Sequence, residues 1–151
     1  MSSEYEDTAL AELAGAFESD ELLQVAPLLE RMLHDGVVIQ DRQARVVYAN
    51  AKAAELLRIS ADQLRGSGSL NPRWQSITAE GDPYPGEKHP AMVVLQTGGE
   101  IREELMGVRV GDESLRWLSI DASAIDLASG RYAIAVFTDV TRQLEGYRRL
   151  R

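Results

Sequence analysis

The chain has 151 residues, of which 44% are hydrophobic and none is cysteine. This composition predicts one folded domain with an ordinary core and argues against general disorder. A sequence without cysteine excludes disulfides, thiolate metal sites and cysteinyl photoadducts, and it is compatible with the reducing cytoplasm, which is the predicted location. No apolar run approaches the roughly 20 residues of a transmembrane helix and no signal peptide is recognisable, so no membrane association is expected.

The net charge of −8 is unevenly distributed along the chain. Residues 1–30 contain eight of the 24 acidic residues and none of the 16 Lys and Arg, so the remainder is formally neutral. A nucleic-acid-binding surface needs a basic face, so direct binding to nucleic acid is not expected. We interpret residues 1–35 as an acidic, helical N-terminal extension.

This extension carries an apolar stripe with 3-4-3 spacing across Pro27, namely Leu22, Val25, Leu29 and Met32. Proline interrupts a helix that precedes it but suits the first turn of a new one. The stripe either covers the domain's own sheet or forms a dimer contact. Two heptads are too few to decide between the alternatives.

Residues 36–57 predict a β-hairpin that leads directly into a helix. Residues 37–39 form a β-branched run, residues 41–45 a polar loop, and residues 46–49 a second β-rich run. Asn50 follows, and an Asn side chain is a strong helix N-cap. Five of the seven residues after it are Ala or Leu, which favours a helix.

The remaining elements follow from local signals. Ser60 and Gln63 have the spacing of a capping box, Pro90 suits the first turn of a helix ended by Gly98, and residues 74–77 suit a brief extended piece. Three strands are predicted at residues 101–110, 115–124 and 132–138, the second with alternating faces. The element order is therefore β-β-α-α-α-β-β-β.

This pattern resembles a PAS domain, the sensory and dimerisation module of bacterial signalling proteins. The resemblance rests on the hairpin, the helix after it and the exit, with the positions Val37, Val38, Ile39, Asp41, Val46, Val47, Tyr48, Asn50, Ala53, Ala54, Leu56, Leu57, and Phe137, Thr138, Asp139, Val140 and Thr141. The last three resemble the Asp-Ile-Thr motif that begins an outgoing signalling helix. Arg58 departs from the pattern, since family members often carry Gly there, and it indicates a different helix ending.

The resemblance implies an α+β fold, a five-stranded antiparallel sheet of order 2-1-5-4-3 with helices on one face. The PAS domain would cover residues 36–139, and residues 140–151 would begin the signalling helix. It also implies a non-catalytic module that relays the state of a ligand or partner to a C-terminal output domain absent from this chain. A histidine kinase, a diguanylate cyclase of cyclic-di-GMP signalling or a transcription regulator would suit.

The implied ligand pocket would be lined by Trp74, Met92, Leu95, Leu118 and Ile120, although the residues alone favour packed core without a ligand. The implied signal exit is Asp139 and Thr141. A homodimer is expected, with contacts from Leu22, Val25, Leu29 and Met32 before the domain and from Val140, Leu144 and Tyr147 after it.

Two alternative functions remain open from the residues. One is a cone-shaped α+β enzyme of the ketosteroid-isomerase type, with Asp121 or Tyr132 in its cavity, but a hairpin placed before the middle helices argues against it. The other is a haem- or flavin-loaded sensor, in which His89 would be an axial ligand rather than a helix N-cap. Two separated histidines make no recognisable metal site. We therefore expect no stoichiometric metal, haem or flavin.

Overall fold

The protein is described here by a computed structural model, which covers residues 34–58, 60–64, 75–110 and 114–150. A single antiparallel sheet has the order β2-β1-β6-β5-β4-β3. Its strands are β1 (Gly36–Gln40), β2 (Val46–Ala49), β3 (Ser76–Ile77), β4 (Glu100–Val110), β5 (Ser114–Leu127) and β6 (Gly130–Asp139). The helices are α1 (Ala51–Leu57), α2 (Ala61–Leu64), α3 (Pro90–Thr97) and α4 (Thr141–Leu150), with a 3-10 turn at Gly86–Lys88.

The predicted PAS-like α+β architecture and its strand order are confirmed. The five expected strands are adjacent in the expected order, and the strand from Gly130 lies beside β1 near the centre of the sheet. One difference is the two-residue strand β3, which pairs with β4 at the edge and makes the count six. The extended piece predicted at residues 74–77 therefore joins the sheet through Ser76 and Ile77.

Asn50 connects the hairpin to α1 and caps the helix as predicted. Its Oδ1 accepts hydrogen bonds from the backbone N–H of Ala53 at 2.9 Å and of Val37 at 2.9 Å. Its Nδ2 donates to the carbonyl of Asp35 at 2.9 Å. The side chain is 3% exposed, so one buried amide links the start of β1, the end of β2 and the first turn of α1.

Of two predictions about helix termini, the one for the start of α2 is confirmed and the one for the end of α1 is wrong. Ser60 and Gln63 form a reciprocal capping box, with each side chain accepting from the other's backbone N–H at 3.1 Å. The different ending expected at Arg58 is wrong. Arg58 adopts the left-handed conformation, φ 55° and ψ 36°, in which a glycine would be unstrained, and its N–H bonds to the carbonyls of Ala54 and Glu55.

The sheet has two apolar faces. The inner face includes Val38, Leu118 and Ile120, and it packs on the core of α1. The opposite face carries a second cluster, which we call the outer cluster: Val37, Ile39, Tyr48, Ile134 and Val136. Strand alternation separates the two, since successive side chains point to opposite faces.

A β-bulge in β2 allows the hairpin to serve both faces. Ile39 is opposite Tyr48, whereas Gln40 is opposite Val46, so Val47 is the extra residue. Val46 consequently lies on the inner face and Tyr48 in the outer cluster, although they have the same parity in sequence. Val47 itself is 43% exposed.

Several predictions fall on residues that the structure does not describe. They are the extension over residues 1–33, with Leu22, Val25, Leu29 and Met32, and the pocket residue Trp74. Within the described ranges, no helix is long and apolar enough to cross a membrane.

Candidate functional site

A cavity of about 110 Å³ lies between the inner face of the sheet and the helices. Its apolar walls come from five of the six strands and the ends of α1 and α2, and they include Val38, Val46, Met106, Leu118, Ile120 and Phe137. Three buried polar side chains also reach it: Gln40, Ser76 and His89. No charged side chain of the described residues is among its walls. The arrangement suits a small, mostly apolar molecule with a hydrogen-bonding group.

Ser76, His89 and the backbone of Tyr84 form a hydrogen-bonded group at this cavity, which we call the polar wall. Ser76 Oγ donates to the carbonyl of Tyr84 at 3.0 Å. His89 Nε2 lies 2.9 Å from Ser76 Oγ and 3.2 Å from the same carbonyl. Because a carbonyl can only accept, we assign the ring proton to Nε2, which donates to both oxygens. The chain reaches this geometry because Tyr84 N–H also bonds to the carbonyl of Ser76, closing the loop between them.

The environment of His89 favours its neutral form. The side chain is 7% exposed, and its ring meets that of Tyr84 edge to face at 5.3 Å between centroids. Burial lowers the pKa of His89, and this effect exceeds the opposing influence of the Tyr84 carbonyl and of Glu87. Burial, followed by the charge of Glu104, raises the pKa of Tyr84 to about 12. The polar wall therefore carries no charge at neutral pH.

A second cluster lies where β6 passes into α4. Asp139 Oδ1 accepts from the hydroxyl of Thr141 at 2.5 Å and from its N–H at 2.9 Å, while Oδ2 accepts from Arg116 Nη1 at 2.6 Å. Thr141 Oγ1 in turn accepts from the N–H of Trp117 at 2.9 Å. Burial alone would raise the pKa of Asp139, but the hydrogen bonds from Thr141 and Arg116 together lower it. We call Arg116, Trp117, Asp139 and Thr141 the exit cluster.

One known family matches most of this chain. A sequence profile described as PAS fold matches residues 31–145, which is most of the chain. The chain belongs to the PAS fold family. No curated protein matches it.

Solved structures agree with this assignment. The PAS domain of nitrogen regulation protein NR(II) from Vibrio parahaemolyticus is 17% identical, with a TM-score of 0.53 over 70% of this chain and 88% of that one. A PAS domain from a two-component sensor histidine kinase is 10% identical, with a TM-score of 0.54 over 81% and 99%. Drosophila melanogaster Cycle PAS-B with bound ethylene glycol is 11% identical, with a TM-score of 0.51 over 69% and 98%. At such identities the likeness shows the fold alone.

The PAS domain brings together only part of the pocket named from the sequence. Leu118 and Ile120 line the cavity, and Trp74 lies outside the described residues. Leu95 packs instead into a neighbouring cluster with Ala122 and Ala133, and Met92 is half-buried on α3 without reaching the cavity. The first turn of α3 supplies Pro90 and Ala91 in their place.

Sequence reasoning missed the polar wall almost entirely. Ser76 and His89 are 13 residues apart, and only the folding back of the chain around Tyr84 joins them. The local signal was the pair of prolines that flank Tyr84, since Pro83 makes an isolated bridge to Ile77 and directs the return. His89 does occupy the N-cap position of α3, but its side chain makes no capping bond and turns to the cavity.

The residues proposed for enzyme chemistry do not meet in this PAS domain. Asp121 accepts a hydrogen bond from the N–H of Glu103 at 2.8 Å, and Tyr132 is bonded to Ser129 at 2.8 Å beside the outer cluster. Neither residue lines the cavity. Among the described residues, no group of three His, Asp or Glu side chains could hold a metal ion.

One strand segment joins the cavity to the exit cluster. Leu118 is a cavity wall and is the register partner of Asp139. Its neighbour Trp117 donates its N–H to Thr141, and the carbonyl of Trp117 accepts from the N–H of Val140 at 2.8 Å. A displacement of this segment of β5 would therefore act on both the cavity and the start of α4.

Proposed function

We propose that this PAS domain is the sensory module of a cytoplasmic bacterial signal-transduction protein. Its cavity would bind a small neutral molecule, and β5 would pass the occupancy to α4 and an output domain beyond it. The observation that carries this proposal is the position of Leu118 and Trp117. Leu118 lines the cavity, and its neighbour Trp117 belongs to the exit cluster.

Size limits the ligand class. A cavity of about 150 Å³ in another protein accommodates benzene, and the cavity here is about 110 Å³. A ligand of about four to six heavy atoms is therefore expected. A haem or a tricyclic flavin exceeds this space, which supports the expectation of no such cofactor. His89 Nε2 is also already engaged by Ser76 and Tyr84.

Polarity limits the class further. A charged ligand would lose its hydration without gaining an opposite charge, since the described cavity walls contain only apolar and neutral polar groups. A neutral ligand with one hydroxyl could donate a hydrogen bond to the side-chain oxygen of Ser76 or Gln40. The bound ethylene glycol of the Cycle PAS-B structure is a molecule of this kind.

The role we propose is non-catalytic. The described cavity contains no carboxylate, and its one histidine is held neutral by burial. General acid–base catalysis of the ketosteroid-isomerase type would need Asp121 or Tyr132 at the cavity. The output domain, whether a histidine kinase, a diguanylate cyclase or a transcription regulator, would supply the activity or the contact with DNA.

The binding proposal can be tested with two isosteric probes. 1-Butanol and n-butylammonium have the same heavy-atom skeleton but differ in charge. We expect 1-butanol to shift the amide NMR signals of Leu118 and Ile120 saturably, and n-butylammonium to bind at least about tenfold more weakly. Ala135→Val should reduce binding by filling the cavity, whereas Ala51→Val adds the same methyl groups at an exposed position and should not.

Two results would contradict the proposal. In the first, 1-butanol shifts the cavity amides no more than surface amides. In the second, Ala135→Val binds it as well as the unaltered chain does.

We also propose a homodimer that uses α4, which leaves the domain and which we call the exit helix. Val140 and Leu144 are half-buried, and Tyr147 is 60% exposed, so α4 offers an apolar stripe for a partner. A parallel pair would bring two output domains together.

Leu144→Glu should weaken association in sedimentation experiments, whereas Gln143→Glu, on an exposed neighbour, should not. The eight acidic side chains within residues 1–30 of one copy would repel those of the other, so association should strengthen with salt. A monomer at both low and high salt would contradict this proposal.

A further inference from the structure

The outer cluster is buried although no described helix joins it. Val37 and Ile39 are 0% exposed, Val136 is 5% exposed and Ile134 is 7% exposed. Helix α1 contributes to the inner-face core and α3 to the cluster around Ala122. Neither supplies a residue to the outer cluster. This face therefore needs a cover that is not one of these helices.

The described chain enters the domain on this same face. Asp35 Oδ1 accepts a hydrogen bond from the hydroxyl of Thr138 at 3.2 Å. Thr138 alternates with Val136 and Ile134 along β6, so it belongs to the outer face. The carbonyl of Asp35 is also held, since it accepts from Asn50 Nδ2. The described part of the chain therefore begins beside the outer cluster.

We propose that residues 22–33 of the same chain cover the outer cluster, with Leu22, Val25, Leu29 and Met32 facing the sheet. This inference chooses the first of the two roles that the sequence left open for the stripe. It does not depend on the proposed ligand, because the cavity lies on the other face.

The length of residues 22–33 suits the length of β1. Strand β1 has five residues, which span about 17 Å. Residues 22–26 and 27–33, taken as two helical pieces that meet at Pro27, would span about 8 and about 11 Å. A segment ending at residue 33 is followed by only two residues before β1, so the connection is too short to carry it to the far side of the sheet. Covering the cluster in cis also removes an apolar face that would otherwise bind another molecule.

A single engineered thiol tests this inference, because the natural chain contains no cysteine. Ser123 lies on the outer face as the register partner of Ile134 and is half-buried, and Ser123→Cys changes only one atom. We expect this thiol to react with a maleimide slowly in the full-length folded chain. Leu29→Asp should accelerate the reaction by about tenfold or more by releasing the cover. Gln24→Asp introduces the same charge at a polar position of the same segment and should not accelerate it.

A second thiol separates local release from global unfolding. Ala122→Cys lies on the inner face, where Ala122 is 2% exposed, and it should remain unreactive in the Leu29→Asp background. If Leu29→Asp exposes both thiols, the milder Leu29→Ala replaces it, and it should accelerate Ser123→Cys alone.

Three results would overturn the inference. The Ser123→Cys thiol could react rapidly in the otherwise natural chain, which would mean that the face is open. It could be protected only at high concentration, with the rate rising on dilution from about 100 to about 1 µM, which would mean that a second copy is the cover. Finally, both Leu29 variants could fail to expose the Ser123→Cys thiol before the Ala122→Cys thiol, which would mean that this segment is not the cover.

Discussion

Removing one hydroxyl from Thr141 should release the exit helix from the sheet without unfolding the domain. Thr141→Val conserves the shape of the side chain but deletes two hydrogen bonds: the one accepted from Trp117 N–H at 2.9 Å and the one donated to Asp139 Oδ1 at 2.5 Å. A neutral bond contributes about 1 kcal/mol and a bond to a charged group about 2 kcal/mol. Asp139 keeps its bonds from Arg116 and from Thr141 N–H. The docked state should therefore lose about 3 kcal/mol, which corresponds to about a 100-fold increase in opening.

Amide hydrogen exchange can measure this opening directly. The reporters are the N–H of Val140, which bonds to Trp117 O at 2.8 Å, and that of Leu144, which bonds to Val140 O at 2.9 Å. Both acceptors survive the substitution, so faster exchange would report release of the helix rather than loss of a partner. Core amides such as that of Ile39 should keep their rates.

Thr141→Ser is the matched control, because it retains the hydroxyl while losing a methyl group. It should exchange within about threefold of the unaltered chain at both reporters. If Thr141→Val does the same, the hydroxyl does not hold the helix, and the link from β5 to α4 described above is wrong.

Three further predictions concern stability, each measured by urea denaturation. The folded pKa of His89 is lowered, so the unfolded chain takes up its proton first, and the free energy of unfolding should fall as pH drops from about 7 toward 5. His89→Gln should reduce this decline, and His34→Gln at the exposed histidine should retain it; a decline unchanged by His89→Gln would exclude this origin. Asn50→Ala leaves two buried N–H groups without an acceptor and should lower the free energy of unfolding by about 3 kcal/mol. The control Lys52→Ala should lower it by under about 0.5 kcal/mol. A loss under about 1 kcal/mol for Asn50→Ala would contradict the role of this amide. Arg58→Gly should be about 1 kcal/mol more stable than Arg58→Ala, since both remove the side chain but only glycine relieves the positive φ; equal stabilities would show that no strain is stored there.

Local chemistry explains why much of the fold was predictable. The Asn50 cap and the box formed by Ser60 and Gln63 each act over three residues, so their spacing in the sequence is enough to recognise them. Helix α3 begins with Pro90 and ends before Gly98, whose φ is 74°, for equally local reasons. The strand order came from the family resemblance, which the pairing of β1 with β6 bears out.

The candidate site was harder to predict because it depends on contacts across the chain. The spacing of Met92 and Leu95 identifies an apolar face on α3 but not which part of the sheet that face meets. The helix meets Ala122 and Ala133 there, so the cavity receives only its first turn. The buried position of His89 similarly requires Ser76 on a strand that the sequence barely signals. Arg58 shows the same limit for the backbone, since the end of α1 takes a left-handed conformation that this residue type disfavours.

The bulge at Val47, rather than strand alternation alone, decides where Val46 and Tyr48 point. Deleting Val47 would remove the bulge but leave Val46 and Tyr48 as neighbours on opposite faces, as they are now. Pairing Val47 in register would instead place both on one face, which would either open the cavity wall or withdraw an aromatic ring from the outer cluster. Chimeras that exchange sensor domains should therefore keep residues 46–49 intact and place their junctions outside this strand.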